Sequence, residues 1–118
     1  MRKLGTTERS VMQVLWSRPE GTTARTIVTE LPLPLAMTTV LTVLDRLRRK
    51  GLVRREPAGR FYRYEAAASR EDYVSSLMVE VLGSEGHSSA VLERFVHAVS
   101  PEQVELLREL IRPAEPDA

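Results

Sequence analysis

Apolar residues recur at helical spacing in the middle of the chain. Four of them occupy positions i, i+3, i+4 and i+7, the pattern of one buried helix face, and they are Val40, Val43, Leu44 and Leu47. Gly51 follows at the place where a helix end favours a residue that tolerates positive φ. The pattern therefore predicts a helix of about four turns that ends near Gly51, with its opposite face free to make contacts.

Two short segments rich in β-forming residues follow this helix. They span residues 52–56 and 60–65, and the turn-forming residues 57–59 between them (Pro-Ala-Gly) predict a β-hairpin. Two more amphipathic patterns precede the central helix, one starting at residues 6–8 and the other capped by Thr23. Helix, helix, helix, strand, strand is the order of a winged helix-turn-helix domain, so we expect a mainly α fold of the α+β class.

Three further amphipathic helices are predicted after the hairpin. A capping sequence at Ser69 opens the first, and a flexible break at residues 83–89 follows it. Ser100, Pro101 and Gln103 then supply the N-cap, N1 and N3 residues of the last helix. The apolar faces of these helices are wide, but so short a segment does not close a core of its own and usually needs a partner.

The formal net charge of +1 conceals a strong asymmetry between the two halves of the chain. Residues 1–65 carry thirteen Lys and Arg against six Asp and Glu, whereas residues 66–118 carry four against ten. Taken alone, the Arg-Arg-Lys run at 48–50 is equally typical of a solvated helix end. The additional arginines of the hairpin favour a binding surface, and the asymmetry indicates that the first half meets a polyanion.

Duplex DNA is the polyanion that fits this arrangement, because a helix can enter the major groove while a hairpin lies along the backbone. The free face of the central helix begins with hydroxyl and alkyl groups suited to base edges and thymine methyl groups, and it ends with cations. Arginines at the start of the second helix and on the hairpin suit phosphates. The predicted DNA contacts are Arg25, Thr38, Thr39, Leu41, Thr42, Arg46, Arg49, Arg60 and Arg63.

The last three helices are predicted to form a subunit interface. Folding back on the first half is the alternative, but a dimer supplies the two-fold symmetry that helix-turn-helix proteins use on DNA. We therefore expect a winged-helix domain (1–67), a helical dimerisation region (68–112) and a disordered tail (113–118). The predicted interface residues are Tyr73, Leu77, Met78, Val81, Val91, Leu92, Phe95, Val96, Leu107 and Leu110.

The composition argues against several other classes of protein. No apolar run approaches the roughly 20 residues of a membrane span and no apolar signal segment is recognisable, so we expect a cytoplasmic protein without membrane insertion. The sequence has no cysteine, and its two histidines, His87 and His97, are ten residues apart, so we expect neither a metal nor another cofactor. No nucleophile elbow or phosphate-binding glycine loop is recognisable, so an enzyme is not expected.

Several short motifs occur in a distinctive order along the chain. They are Thr7-Glu8, Val11-Met12, Leu15-Trp16, Thr38-Thr39-Val40, Thr42-Val43-Leu44, Arg46-Leu47, Lys50-Gly51-Leu52 and the segment from Gly59-Arg60 to Tyr64. In this set and order the chain resembles the BlaI/MecI family of penicillinase repressors over nearly its whole length. The resemblance implies a homodimer that represses genes by occupying a palindromic operator, with Thr39, Leu41 and Thr42 at the DNA-facing start of the recognition helix.

The resemblance also implies a way in which such a repressor is released from DNA. Staphylococcal members are inactivated when a membrane sensor-protease pathway triggers cutting in the dimerisation region, and the matching peptide bond here is Arg94-Phe95. The family case has Asn at the position of Arg94. A cut at this bond would separate the winged-helix domain from its last helices and remove the avidity of a two-site complex.

Two functions of other classes are also compatible with the sequence. A winged-helix protein-interaction module would bind an acidic partner through the same basic face, whereas a small-molecule sensor would bind its effector in a pocket between the two halves. A steep salt dependence of binding to duplex DNA separates the repressor and the sensor from the interaction module. The scarcity of polar residues within the apolar stripes argues against a drug-like pocket.

Overall fold

Three helices, a two-stranded antiparallel sheet and three more helices follow one another in this computed structural model, and the first five elements have the order of a winged helix. The structure describes residues 4–84 and 88–113. The elements are α1 Thr6–Trp16, α2 Ala24–Glu30, α3 Met37–Arg49, β1 Val53–Ala58, β2 Phe61–Ala66, α4 Arg70–Ser84, α5 Ser88–Ala98 and α6 Pro101–Ile111. The chain divides into two compact units, one ending at Met78 and the other starting at Val79. The predicted fold class, mainly helical with a small sheet, is confirmed.

The core of the N-terminal unit lies between α1, α2, α3 and the sheet. The apolar stripe predicted for α3 is buried there, with Val40, Leu44 and Leu47 at 0% exposure and Val43 at 5%. The other buried apolar side chains are Leu4, Val11, Met12, Val14, Leu15, Ala24, Ile27, Leu31, Leu52, Val53, Tyr64 and Tyr73. Because one side of α3 is committed to this core, its opposite side is presented outward.

The end of α3 turns the chain directly into the hairpin. Gly51 has a φ of +79°, and its N–H donates to the Arg48 carbonyl at 3.0 Å. The N–H of Leu52 donates to the Leu47 carbonyl, also at 3.0 Å. Both bonds belong to the Schellman motif, which needs a left-handed residue at this position. The predicted role of Gly51 is confirmed, and it places β1 immediately beside α3.

The hairpin has a tighter turn than the sequence predicted. Ala58 pairs with Phe61, so only Gly59 and Arg60 form the connection, rather than residues 57–59. Gly59 has a φ of +68°, as two-residue hairpin turns demand at a central position. Strand β1 therefore extends to Ala58. Arg60 lies at the exposed tip of the hairpin formed by β1 and β2, which we call the wing, instead of at the start of a strand.

The wing is attached to the turn between α1 and α2. Thr22 and Tyr64 exchange two backbone hydrogen bonds, Thr22 N–H to Tyr64 O at 2.9 Å and Tyr64 N–H to Thr22 O at 2.8 Å. Gly21 permits this approach, because it has a φ of +88° and an added Cβ would lie 2.9 Å from the Arg63 side chain. The orientation of the wing relative to α3 is thus set by a long-range backbone contact.

The first half of α4 belongs to the N-terminal unit, and this corrects one interface prediction. Tyr73 is only 2% exposed, its ring centroid lies 5.5 Å from that of Trp16, and its hydroxyl accepts a hydrogen bond from the Leu4 N–H at 3.2 Å. A side chain already buried in its own chain has almost no surface left for a partner, so the prediction of Tyr73 as an interface residue is wrong. Leu77 also packs partly against this core. The division between the units accordingly falls inside α4, later than residue 67.

The start of α1 contains a partly buried ion pair that the sequence pattern did not indicate. The N-cap is Gly5, and its N–H donates to the Glu8 carboxylate at 3.3 Å. Glu8 is 9% exposed and accepts a hydrogen bond from Lys50 Nζ at 2.7 Å. Burial raises the pKa of Glu8, but the bonds from Lys50 and Gly5 and the charges of Lys50 and Arg46 outweigh it and hold this pKa below its usual value.

We expect the Glu8→Gln protein to lose stability at neutral pH but not at acid pH. Because the folded-state pKa of Glu8 lies below the ordinary value of 4.5, the stabilisation is fully present above that pH and disappears as the pH falls through the folded value. The loss at pH 7 should be about 1.5–3 kcal/mol, the range for a hydrogen bond to a charged group. Urea unfolding from pH 2 to 7 measures it. Glu105→Gln, in an exposed pair with Arg108, is the control and should show no comparable pH dependence.

The C-terminal unit contains α5 and α6, neither of which buries a side chain among the residues that the structure describes. The predicted start of α6 is confirmed: Ser100 Oγ accepts from the Gln103 N–H at 3.2 Å, and Gln103 Oε1 accepts from the Ser100 N–H at 3.0 Å. The predicted break at 83–89 is shorter, because α4 includes Gly83 and α5 begins at Ser88.

Two predictions fall on parts of the chain outside the described residues. They are the flexibility of residues 85–87 and, apart from Pro113, the disorder of the tail. Within the described ranges, no helix is long and apolar enough to cross a membrane.

Candidate nucleic-acid interface

The outward face of α3 presents hydroxyl and alkyl groups in its first two turns. Thr38, Thr39 and Thr42 are exposed, and so are two large apolar side chains, Leu41 at 41% and Met37 at 38%. The structure therefore places all four residues that the sequence predicted for the start of the recognition helix on its free side. Met37 was missed, although it precedes Leu41 by one helical turn and so shares its face.

The hydroxyl group of Thr42 is engaged within the helix. Its Oγ1 donates to the Thr38 carbonyl at 2.9 Å, a bond to the residue four positions earlier. The hydroxyl proton is thus used inside α3, and what Thr42 offers outward is its methyl group and an oxygen lone pair. The predicted role of this hydroxyl as a hydrogen-bond donor to DNA is not favoured in this conformation.

An open groove of about 550 Å³ runs between the start of α2, the start of α3 and the wing. Its lining residues are Thr23, Ala24, Arg25, Met37, Leu41, Arg60, Phe61, Tyr62 and Tyr64. The groove thus brings together three residues predicted from separate segments, Arg25, Leu41 and Arg60. It combines an apolar floor with cations from two different elements.

Two wing aromatics in this groove were not predicted as site residues. Phe61 is 65% exposed and Tyr62 is 42% exposed, although both are large and largely apolar. The Arg55 guanidinium lies 4.0 Å from the centroid of the Tyr62 ring, a cation–π geometry. The position of Phe61 and Tyr62 beside the hairpin turn is a signal for exposed side chains. The strand pattern alone did not distinguish these two residues from core residues.

Two of the predicted cations are paired within the protein. Arg49 lies 2.9 Å from the Asp45 carboxylate, which also accepts a hydrogen bond from Arg48 at 3.0 Å. Arg63 lies 2.6 Å from Glu56, and this hydrogen bond raises the pKa of the Arg63 guanidinium. These exposed pairs are weak in water, so an anion could compete for either arginine.

Three predicted cations are available without breaking an ion pair. Arg25, Arg46 and Arg60 are exposed, and none of them forms a salt bridge with another residue in the described part of the chain. They come from α2, from the last turn of α3 and from the tip of the wing, respectively. Positive charge therefore lies on several sides of the free face of α3. This arrangement suits a polyanion whose anionic groups are far enough apart to contact each of these arginines.

The fold and this surface define a winged helix-turn-helix protein with an exposed recognition helix beside a basic wing. The chain belongs to the penicillinase repressor family, whose sequence profile matches residues 4–113. It is thus a transcriptional regulator of a repressor family and not an enzyme, as the sequence predicted.

Individual relatives support this assignment. The chain is 38% identical over 120 residues to the transcriptional regulator BlaI of Mycobacterium tuberculosis, in strain CDC 1551 and in strain H37Rv, and the match covers 98% of this chain and 87% of each relative.

Similar folds occur in solved structures of more distant proteins. Streptococcus pneumoniae FabT in complex with DNA is similar with a TM-score of 0.51 and 18% identity, over 91% of this chain and 70% of FabT. A mutant of S. aureus MepR bound to an oligodeoxyribonucleotide has a TM-score of 0.55 and 18% identity, over 92% of this chain and 75% of that protein. At these identities the likeness concerns the fold alone.

Proposed function

We propose that this protein is a homodimeric repressor that occupies a palindromic operator in duplex DNA. The observation that carries the proposal is the free face of α3, whose Met37 and Leu41 line a groove together with the cations Arg25 and Arg60. A helix of this kind fits the major groove, and cations on both sides of it suit the phosphates of the flanking strands. A repressor of this kind acts in the cytoplasm, where its operator lies.

Within this proposal the predicted residues divide into two groups by position. Thr38, Thr39, Leu41 and Thr42 lie in the first turns of α3, where side chains reach base edges. The five predicted arginines meet phosphates; they are Arg25, Arg46, Arg49, Arg60 and Arg63. Arg49 and Arg63 exchange a carboxylate for a phosphate on binding, so their contribution is smaller than that of the unpaired arginines.

The dimer part of the proposal is supported by the apolar surface of the last helices. Leu92 is 45% exposed, Val96 41%, Leu110 71% and Ile111 76%. Apolar surface of this extent on a short helical segment marks an interaction site. The proposed interface, without Tyr73, is made of Leu77, Met78, Val81, Val91, Leu92, Phe95, Val96, Leu107 and Leu110.

The experiment that tests the function measures DNA affinity as a function of salt. Binding to the DNA upstream of the gene for this protein should give a two-fold symmetric footprint. The logarithm of the binding constant should fall steeply with the logarithm of the salt concentration. Arg60→Ala should flatten that slope by about one unit, because one phosphate contact is removed, and should weaken specific and non-specific DNA alike. Arg108→Ala in α6 is the control and should leave the slope unchanged. A change of preferred sequence without a change of slope would mean that the wing reads bases.

We also propose that cutting of the Arg94-Phe95 bond releases the repressor. The family resemblance motivates this bond, and both of its residues are exposed on α5. The bond lies within a helix, so a protease must capture a locally opened state. Loss of the segment beyond it would remove four of the nine residues of the proposed interface, and the weakened dimer would lose its two-site avidity.

Mass spectrometry of the protein from β-lactam-treated cells tests this release. We expect a fragment that ends at Arg94, produced by a membrane sensor-protease pathway, together with derepression of the target genes. Intact protein alongside full derepression of the target genes would contradict release by cleavage.

A further inference from the structure

The start of the recognition helix contains few groups that can distinguish bases by hydrogen bonds. Between Ala36 and Asp45 there is no Arg, Lys, Asn or Gln, the side chains that bond base edges in two places. The remaining polar groups in these turns are threonine hydroxyls, which pair with donors and acceptors alike and so discriminate weakly. The Thr42 hydroxyl is further occupied by the Thr38 carbonyl.

The same turns carry exposed alkyl groups that the fold itself does not use. Met37 and Leu41 are 38% and 41% exposed, and they are four residues apart on one ridge of α3. We call Met37, Leu41 and the Thr42 methyl group the alkyl patch. Because Arg25 and Arg60 line the same groove as Met37 and Leu41, a polyanion fits this surface better than an apolar peptide does.

We infer that the alkyl patch recognises the C5-methyl groups of thymines, and that these contacts supply most of the sequence preference of the protein. Thymine is the base that presents a methyl group in the major groove, next to an acceptor oxygen. Packing that methyl against Leu41 or Met37 removes apolar surface from water on both sides. The preferred half-site therefore carries thymines opposite the first two turns of α3.

This inference rests on the proposed DNA-binding function, and the experiment distinguishes failure of the one from failure of the other. A site is first selected from a random duplex library made with thymidine. The selected duplex is then synthesised with deoxyuridine at single thymine positions, a change that removes only the methyl group. Loss of the methyl group at one contacted thymine should lower the affinity about fourfold, and loss at two should lower it about 16-fold. The same replacement in a random-sequence duplex should leave its affinity unchanged.

A matching variant assigns the effect to the patch. Leu41→Ala should weaken binding of the thymine duplex and leave the deoxyuridine duplex nearly unchanged, so that the two affinities converge at one or more positions. Thr29→Ala on the exposed part of α2 is the control and should keep the full difference. Circular dichroism should show the same thermal unfolding for both variants, since neither side chain is in the core.

Each outcome of the experiment decides one question. If the deoxyuridine duplexes bind as tightly as the selected duplex, recognition by methyl groups is wrong, although the protein remains a sequence-specific DNA-binding protein. The inference is also wrong if the methyl effect persists unchanged in both Leu41→Ala and Met37→Ala. If no sequence is enriched from the library, the proposed function fails, and the inference fails with it.

Discussion

The Thr42→Asp protein is expected to lose operator binding by about a hundredfold or more while it keeps its fold. Thr42 is exposed on the free face of α3, where a carboxylate would face the phosphates and the acceptor-rich major groove. Like charges placed together in an interface cost several kcal/mol, which corresponds to at least about a hundredfold in affinity. An electrophoretic mobility-shift titration measures the loss, and circular dichroism measures the unfolding temperature.

Thr29→Asp is a closely matched control for this prediction. Thr29 is also an exposed helical threonine, and its Oγ1 donates to the Arg25 carbonyl at 3.1 Å just as Thr42 donates to Thr38. Both substitutions therefore change the net charge equally and remove the same kind of hydrogen bond. Only the Thr42 variant should lose the operator; wild-type affinity in Thr42→Asp would show that this face of α3 does not enter DNA.

The second large effect is expected from Phe95→Ala, far from the proposed DNA contacts. Phe95 lies on α5 and is 37% exposed in the single chain. Truncation of a large aromatic side chain at the centre of an interface commonly costs more than 1 kcal/mol, and a symmetric dimer contains it twice. The dimer dissociation constant should thus rise about 10–100-fold, and operator affinity should fall at dilute protein concentration.

Sedimentation equilibrium measures the dimer, and the mobility-shift titration measures the consequence for DNA. Glu93→Ala is the control, because it lies about 200° around α5 from Phe95 and should leave the dimer intact. At high protein concentration the Phe95→Ala protein should recover operator binding, since the winged-helix domain is unchanged. A wild-type protein that sediments as a monomer at micromolar concentration contradicts the dimer proposal directly.

Local patterns determined the elements of this protein well. The buried stripe of α3 follows from helical periodicity, and the roles of Gly51 and of the Ser100 capping box follow from the chemistry of helix ends. These features involve residues within a few positions of one another, so the sequence contains all that is needed to predict them. The same holds for the outward position of Thr38, Leu41 and Thr42, because a helix with one buried side must expose the other.

The register of the hairpin was less well determined. The residues Pro57, Ala58 and Gly59 are all compatible with a turn, and the choice between a two-residue and a three-residue connection depends on how both strands pair. Pairing of Ala58 with Phe61 moved Arg60 to the wing tip and brought Phe61 into the groove. Residue propensities do not predict a one-residue change in the position of the turn, but this change decides which side chains can contact a ligand.

Only the tertiary structure decided the long-range contacts. Tyr73 shares an apolar helical stripe with true surface positions, and its burial depends on Trp16 and Leu4, which lie far away in the sequence. The Glu8–Lys50 ion pair likewise joins residues separated by 42 positions. The pairing of Arg63 with Glu56 depends on the pairing of the two strands, whereas the Arg49–Asp45 pair is an i, i+4 contact within α3. The hydrophobic periodicity of the sequence thus predicts whether a residue has an apolar or a polar environment. The identity of its neighbours depends on how the helices and strands pack.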